Sequence, residues 1–302
     1  QDNMSGDAGP VRRFVITAHR WKILVTVRQK YSVAANTVIN LLTFNAGLGN
    51  LGTNLVASVS PDGRAGGIRG ILDNRNNFGP DGNVICGGYN LIRSNTNNNR
   101  LTDALFAAFD VVYVHYMGNA YFGNEDAKKV HDWLKAKKNR VLIASYDATD
   151  VSKYLIDELL GGNSDIKYLT ANNGEFAVAP SSVDNSYFTS TGPFTSGSYT
   201  PVSPGFSFRN YDAYHGEILL NTESAKGITP ILTGKAGGIV LGVDYSRRIV
   251  YIGDTDLGNS LSGTGGTSDN RINNTTGEIN NDASKLIANL LAWITDVVLY
   301  GE

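Results

Sequence analysis

Residues 110–162, DVVYVHYMGNAYFGNEDAKKVHDWLKAKKNRVLIASYDATDVSKYLIDELLGG, decide the fold. DVVYVHYM (110–117) is rich in β-branched and aromatic residues and reads as a strand. NEDAKKVHDWLKAKK (124–138) sets Ala127, Val130, Trp133 and Leu134 on one helical stripe, with acids in its first turn and bases in its last. RVLIAS (140–145) is strand again, and DVSKYLIDELLGG (150–162) is helix again, closed by Gly161. Strand–helix–strand–helix of this kind predicts a parallel sheet with right-handed crossovers.

Upstream, LTDALFAAF (101–109) reads as a short helix with Thr102 as its cap, and 32–46, SVAANTVINLLTFNA, as a helix capped by Ser32 and ended by Gly47. Phe14–Thr17 and Trp21–Val27 read as strands, and residues 1–10 as a disordered or linker segment. Residues 49–100 are dense in Gly and Asn and carry no sustained period, so they read as loop with short strands at Leu55–Val59 and Asn83–Cys86. Downstream, 163–230 is again loop-rich, with strands at IKYLT (166–170), EFAVA (175–179) and EILLN (217–221). A hairpin follows, Ile239–Tyr245 and Arg248–Gly253, and then a terminal helix, 281–300, with Asp282 as N-cap and Leu286, Leu290, Trp293 and Val297 as its core stripe. The expected architecture is a flavodoxin-like three-layer α/β sandwich with a mostly parallel sheet and a late β-hairpin. It forms one domain over 11–302, with irregular insertions at 49–100 and 171–215.

Composition narrows the function classes. The chain has 302 residues, is 41% hydrophobic and only 18% charged, against about 25% in an average soluble domain. A net charge of −2 supplies no field for nucleic acid or an anionic membrane. The cations Lys135, Lys137, Lys138 and Arg140 belong to a helix C-terminus. The single cysteine, Cys86, excludes an intrachain disulfide and a cysteine zinc site. No stretch reaches the roughly 18 consecutive apolar residues of a membrane span. The Asn- and Tyr-rich composition, and an opening QDNMSGDAGP that reads as a processed terminus, fit an extracytoplasmic protein: secreted, periplasmic or at the cell surface.

Three places could carry chemistry. The turn after RVLIAS occupies the strand end where α/β hydrolases display a nucleophile, and it offers Ser145, Tyr146 and Asp147. Small residues normally flank such a nucleophile; here Tyr146 and Asp147 stand instead, and Asp147 also reads as a helix N-cap. His115 closes the neighbouring strand and could serve as base to Ser145, with Asp147 as the orienting acid. GDTDLGN (253–259) sets Asp254 and Asp256 after a strong strand, like the start of a calcium loop, but its twelfth position is Gly265 rather than Glu. Calcium at Asp254 and Asp256 is the one metal reading left open. No phosphate-binding glycine loop occurs, so no nucleotide cofactor is expected.

The order of DVVYVHYM, AKKVHDWLKAKK, RVLIASYD, the hairpin GIVLGVDYSRRIVYIGDTDLGNS and the helix ASKLIANLLAWITD resembles the class I glutamine amidotransferase-like superfamily, above all its ThuA-like extracytoplasmic branches. The shared marks are Gly253–Asp254 at the hairpin end and Asn289–Leu290–Leu291–Ala292–Trp293 in the last helix. The likeness covers about 101–162 and 235–297, with 21–27 and 32–46 added. It implies a nucleophile position at Ser145, where the amidotransferases carry Cys, and Asp254, Thr255 and Asp256 near the place of their His-Pro-Glu. Thioester glutamine hydrolysis is therefore not expected. The composition also resembles that of Bacteroidetes surface proteins. The first functional expectation is a non-catalytic binding or structural module whose long loops recognise a protein or glycan partner at the cell surface. The second is a glycan or ester hydrolase using His115, Asp147, Asp254 and Asp256, with or without a divalent metal. The third is membership of a larger surface assembly.

Overall fold

The computed structural model describes residues 31–45, 67–95, 103–115, 123–146, 153–162, 164–169, 174–180, 184–210, 215–254 and 276–301. A helical stretch, α1 (31–36), leads into β1 (Ile39–Asn45). Next come α2 (Gly67–Asp73), the short pair β2 (Phe78–Gly79) and β3 (Val84–Ile85), and β4 (Tyr89–Asn95). The central α/β run is α3 (Asp103–Ala107), β5 (Val111–His115), α4 (Asn124–Lys135), β6 (Val141–Ser145) and α5 (Lys153–Leu160). After it come β7 (Ile166–Leu169), β8 (Gly174–Val178), β9 (Ser207–Asn210), β10 (His215–Ile218) and β11 (Thr229–Thr233). The hairpin is β12 (Ile239–Asp244) and β13 (Ile249–Ile252), and α6 (Asp282–Tyr300) ends the described chain.

One 11-stranded sheet organises these elements. Five strands, in the order β4-β1-β5-β6-β13, are parallel. From β13 the sheet continues antiparallel through β12, β11, β8 and β9, and β10 ties β12 to β7. Helices cover both faces of the parallel half, which is the flavodoxin-like three-layer arrangement. On one face Ile39, Leu41, Val111, Ile143 and Val250 pack with Ile71 of α2 and Leu286, Leu290 and Ile294 of α6. On the other, Leu42, Val112, Val114, Leu142 and Ala144 pack with Phe106, Val130, Trp133 and Leu155 of α3, α4 and α5. Burial on both faces is why these strands are continuous apolar runs rather than alternating ones. Among the described residues α6 is the one helix long and apolar enough to cross a membrane, and it is a core helix here.

The basic cluster after α4 has a defined structural use. Arg140 is buried, lies over the Trp133 ring at 5.0 Å and donates to the Trp133 carbonyl. Arg248, with φ of 61°, donates to the carbonyls of Leu134 and Arg140. Both guanidinium groups satisfy carbonyls that the end of a helix leaves unpaired.

Several expectations are corrected. The stretch 32–46 is not one helix. Thr37 donates its backbone N–H to Ala34 and its hydroxyl to Val33, ending α1, and β1 follows. Val38–Leu42 is apolar enough to satisfy a 3.6-residue period, but burial on both faces and pairing to two neighbours make it an interior strand of the parallel set. The Gly/Asn-rich stretch holds α2 and β4, and β4 pairs with β1 over seven residues. Its pattern is faint because it ends the parallel run, with Ile92 exposed. The N-cap of α6 is Asn281, not Asp282: the Asn281 side chain accepts the Ser284 N–H at 2.8 Å, and the Ser284 hydroxyl accepts the Asn281 N–H at 3.1 Å. Asp282 instead accepts the Ser203 N–H and pairs with Lys285. Phe14–Thr17, Trp21–Val27 and Leu55–Val59 lie outside the described residues.

Candidate functional site

The parallel strands fix where a ligand belongs. In chain order β1, β4, β5, β6 and β13 are first to fifth of the parallel set, and in space they run second, first, third, fourth, fifth. The chain leaves β1 toward one side and returns on the other, so its direction reverses between β1 and β5. The crevice outside the carboxyl ends at such a reversal is where open α/β sheets hold ligands.

The residues at that edge form a polar row. Asn45 is opposite Asn95 of β4 and His115 of β5. Val114 is opposite Ala144, which puts His115 level with Ser145, and Ser145 is opposite Ile252. Asn95, Asn45, His115 and Ser145 therefore stand at one level across four strands. Two residues deeper, Arg93, Thr43 and Tyr113 are level with Ile143. A further two residues down the level is Leu91, Leu41, Val111 and Val141, wholly apolar. The sheet thus turns from apolar to polar over its last turns of pleat, at the reversal point.

Ser145 is only 1% exposed, and its Oγ has no hydrogen-bond partner among the described residues. Thr43 is equally buried and its Oγ1 is likewise unpartnered. Buried polar groups without partners are rare in folded proteins and ask for a reason. Of the residues at the end of β6, Ser145 and Tyr146 are described, and both are buried. Tyr146 is fully buried, donates its hydroxyl to the Ile239 carbonyl at 2.7 Å and its N–H to Ile252 at 2.9 Å. Burial, followed by the nearby Glu217 charge, pushes the Tyr146 phenol well above its ordinary value. Its ring fills the space beside two glycines: a Cβ at Gly216 would lie 2.7 Å, and one at Gly253 2.8 Å, from its carbons. Gly253 is thus required by close packing, and Asp254 after it is buried.

The sequence candidates therefore separate. His115 and Ser145 share one level of the sheet edge, and Asp254 follows β13 at the same end. Asp147 and Asp256 lie outside the described residues. Among the described residues no three His, Cys, Asp or Glu groups converge as a metal site needs. Cys86 is buried, and burial raises its thiol above the ordinary range.

Sequence reading missed a second polar cluster. His215 Nε2 and Glu217 Oε1 are 3.0 Å apart and both side chains are buried. Glu217 also accepts the N–H groups of Ala236 at 3.2 Å and Gly238 at 2.8 Å. Burial pushes the Glu217 carboxyl up, but the His215 bond and the two amides outweigh it and hold it below the ordinary value. His215 Nδ1 has no partner among the described residues, and its ring meets Phe176 edge-on at 4.8 Å. The signal was the spacing H-x-E, which puts both side chains on one face of a strand; beginning that strand at Glu217 left His215 out. Asn289 of α6 is structural: it accepts the Phe194 N–H and donates to the Phe188 carbonyl and Thr195 hydroxyl. Two open cavities lie toward the other end of the sheet, about 540 Å³ beside Arg75 and Asp81, and about 400 Å³ beside Trp133 and Arg140.

No protein-family model and no curated protein matches the chain. Among solved structures it is similar to a protein from Thermoplasma acidophilum described as a candidate GMP synthase component, at 7% identity and a TM-score of 0.43, over 86% of this chain and 94% of that one. Likeness at that level assigns neither family nor activity.

Proposed function

We propose that the chain is a non-catalytic binding module of an extracytoplasmic protein, built on an amidotransferase-like scaffold of the ThuA-like kind and recognising a protein or glycan partner at the carboxyl edge of its parallel sheet. The observation that supports it most is the polar row Asn95–Asn45–His115–Ser145 at the β1/β5 reversal. Burial of Ser145 and Tyr146, at the position where a nucleophile would be displayed, favours recognition over covalent chemistry. The low charge fraction and Asn-rich composition support the extracytoplasmic assignment. Amide-resolved NMR titration with candidate partners tests the site: shifts concentrated at 43–45, 113–115 and 143–145, and lost in Asn45→Ala, are expected. Binding that leaves this edge unperturbed would overturn it.

One observation favours a second reading, a histidine- and carboxylate-dependent hydrolase. The buried His215–Glu217 pair has an anionic carboxyl behind the ring and a bare Nδ1, the arrangement of a general base. Turnover of chromogenic esters or glycosides that is abolished by His215→Ala would establish it in place of the binding module.

A further inference from the structure

Arg140 is a buried charge with a free edge, and it lines a cavity. The cavity, of about 400 Å³, lies between α3 and α4 at the amino end of β6, the far end of the sheet from the reversal point. Small-molecule sites span about 300–1,000 Å³, so it has room for one. Arg140 is 6% exposed. Its guanidinium carbon lies 5.0 Å over the Trp133 ring, and Nη1 donates to the Trp133 carbonyl at 2.7 Å. Those contacts cap α4 and leave the rest of the group unused. Nε has no partner, and among the described residues Nη2 has none either. Nε–H and one Nη2–H point the same way and form the side-on fork that matches the two oxygens of a carboxylate. Burial opposes the guanidinium charge, and Asp110 offsets this only through space, without an ion pair. A buried cation left in that state is costly, and an anion on its open fork would relieve it.

The lining selects among anions. Phe106, Ala107, Trp133 and Ala136 give it an apolar wall. The two aromatic rings are fixed to each other, because the Trp133 indole N–H donates to the Phe106 carbonyl at 2.8 Å. Lys129 brings a second cation to the lining. Asp103 and Asp132 also face the cavity, and Asp132 is paired with Lys128. One negative charge on an apolar body fits this balance. A phosphate dianion would meet two carboxylates and leave the aromatic wall uncovered.

We infer that this cavity binds a small organic monocarboxylate, its carboxylate on the free edge of Arg140 and its apolar body against Phe106 and Trp133. The site is separate from the carboxyl-edge crevice and does not depend on what binds there.

The test is calorimetry on the whole chain, with NMR of the Arg140 Nε–H and Trp133 indole N–H groups. Benzoate and hexanoate are the probes, benzamide is the uncharged counterpart of benzoate, and inorganic phosphate is the bare anion. Benzoate should bind and shift both signals, and benzamide should bind about tenfold more weakly, because the charge-assisted bonds are lost. Arg140→Lys keeps the charge, removes the fork and should weaken benzoate about tenfold. Asp103→Asn removes an acid from the rim and should tighten benzoate about two- to threefold, a gain that a merely structural Arg140 would not produce. Ala136→Leu fills the cavity from an exposed position and should weaken binding with Arg140 still in place. It decides the matter if Arg140→Lys fails to fold. Benzoate binding that neither Arg140→Lys nor Ala136→Leu changes would overturn the inference. So would benzamide binding as tightly as benzoate, phosphate binding more tightly than benzoate, or no binding of any probe.

Discussion

Two buried polar clusters sit in this sheet, and they differ in how completely they are bonded. In the antiparallel half Glu217 accepts from His215, Ala236 and Gly238, and on α6 Asn289 holds Phe188, Phe194 and Thr195. At the parallel edge Thr43 and Ser145 hold nothing among the described residues. A polar group that is wired into backbone amides specifies a connection between segments. One that is buried and unwired lowers stability unless something outside the chain completes it. The comparison separates polar groups that tie segments of the fold together from polar groups that tie nothing described, and substitutions should show it by sign as well as size.

Glu217→Ala should have the largest effect. It removes one partner of a buried pair and leaves the Ala236 and Gly238 N–H groups without the carboxylate they donate to. A loss of about 3–5 kcal/mol is expected, read as a lower denaturant midpoint. A loss below about 1 kcal/mol would mean that the cluster is not structural. Asn289→Ala comes next, at about 2–3 kcal/mol, because the Phe194 N–H and Phe188 carbonyl lose a buried partner. It should also raise hydrogen exchange at 188–195 selectively, since that segment is what the amide pins to α6.

The pH dependence of the wired cluster is smaller and has a fixed sign. The Glu217 carboxyl is held below its ordinary value in the folded chain, so the unfolded chain binds its proton first as pH falls. Its contribution is fully present above the unfolded value of about 4.3 and is lost as pH falls through the folded one. Midpoints measured from pH 7 down to pH 3 should therefore drop on the acid side, and Glu217→Gln should flatten that limb. An unchanged acid limb in Glu217→Gln would place the acid sensitivity elsewhere.

Legibility followed the same division. The strands DVVYVHYM and RVLIAS, helix α4, the hairpin and α6 were readable because each carries one strong period or a continuous apolar run. VINLLTFN was not, because a strand buried on both faces also satisfies a helical period over so short a window. YNLIRSN, the outermost of the described parallel strands, was hidden by having little to bury. His115 and Ser145 could be named from their strand ends, but their alignment with Asn45 and Asn95 depends on strand order, which only the long-range pairing of β1 with β4 and β5 reveals. His215 and Glu217 were visible as an H-x-E spacing, yet what gives them meaning is the turn at 234–238, whose amides come from a distant hairpin.

The smallest effect is the most discriminating. Ser145→Ala and Thr43→Val each delete a hydroxyl that bonds to nothing described, so in the free protein neither should destabilise, and each should raise stability by up to about 1 kcal/mol. Had these hydroxyls been wired like Glu217, both variants would be less stable. A loss above about 1 kcal/mol in the free protein would move Ser145 and Thr43 into the structural class and dissolve the contrast between the two clusters.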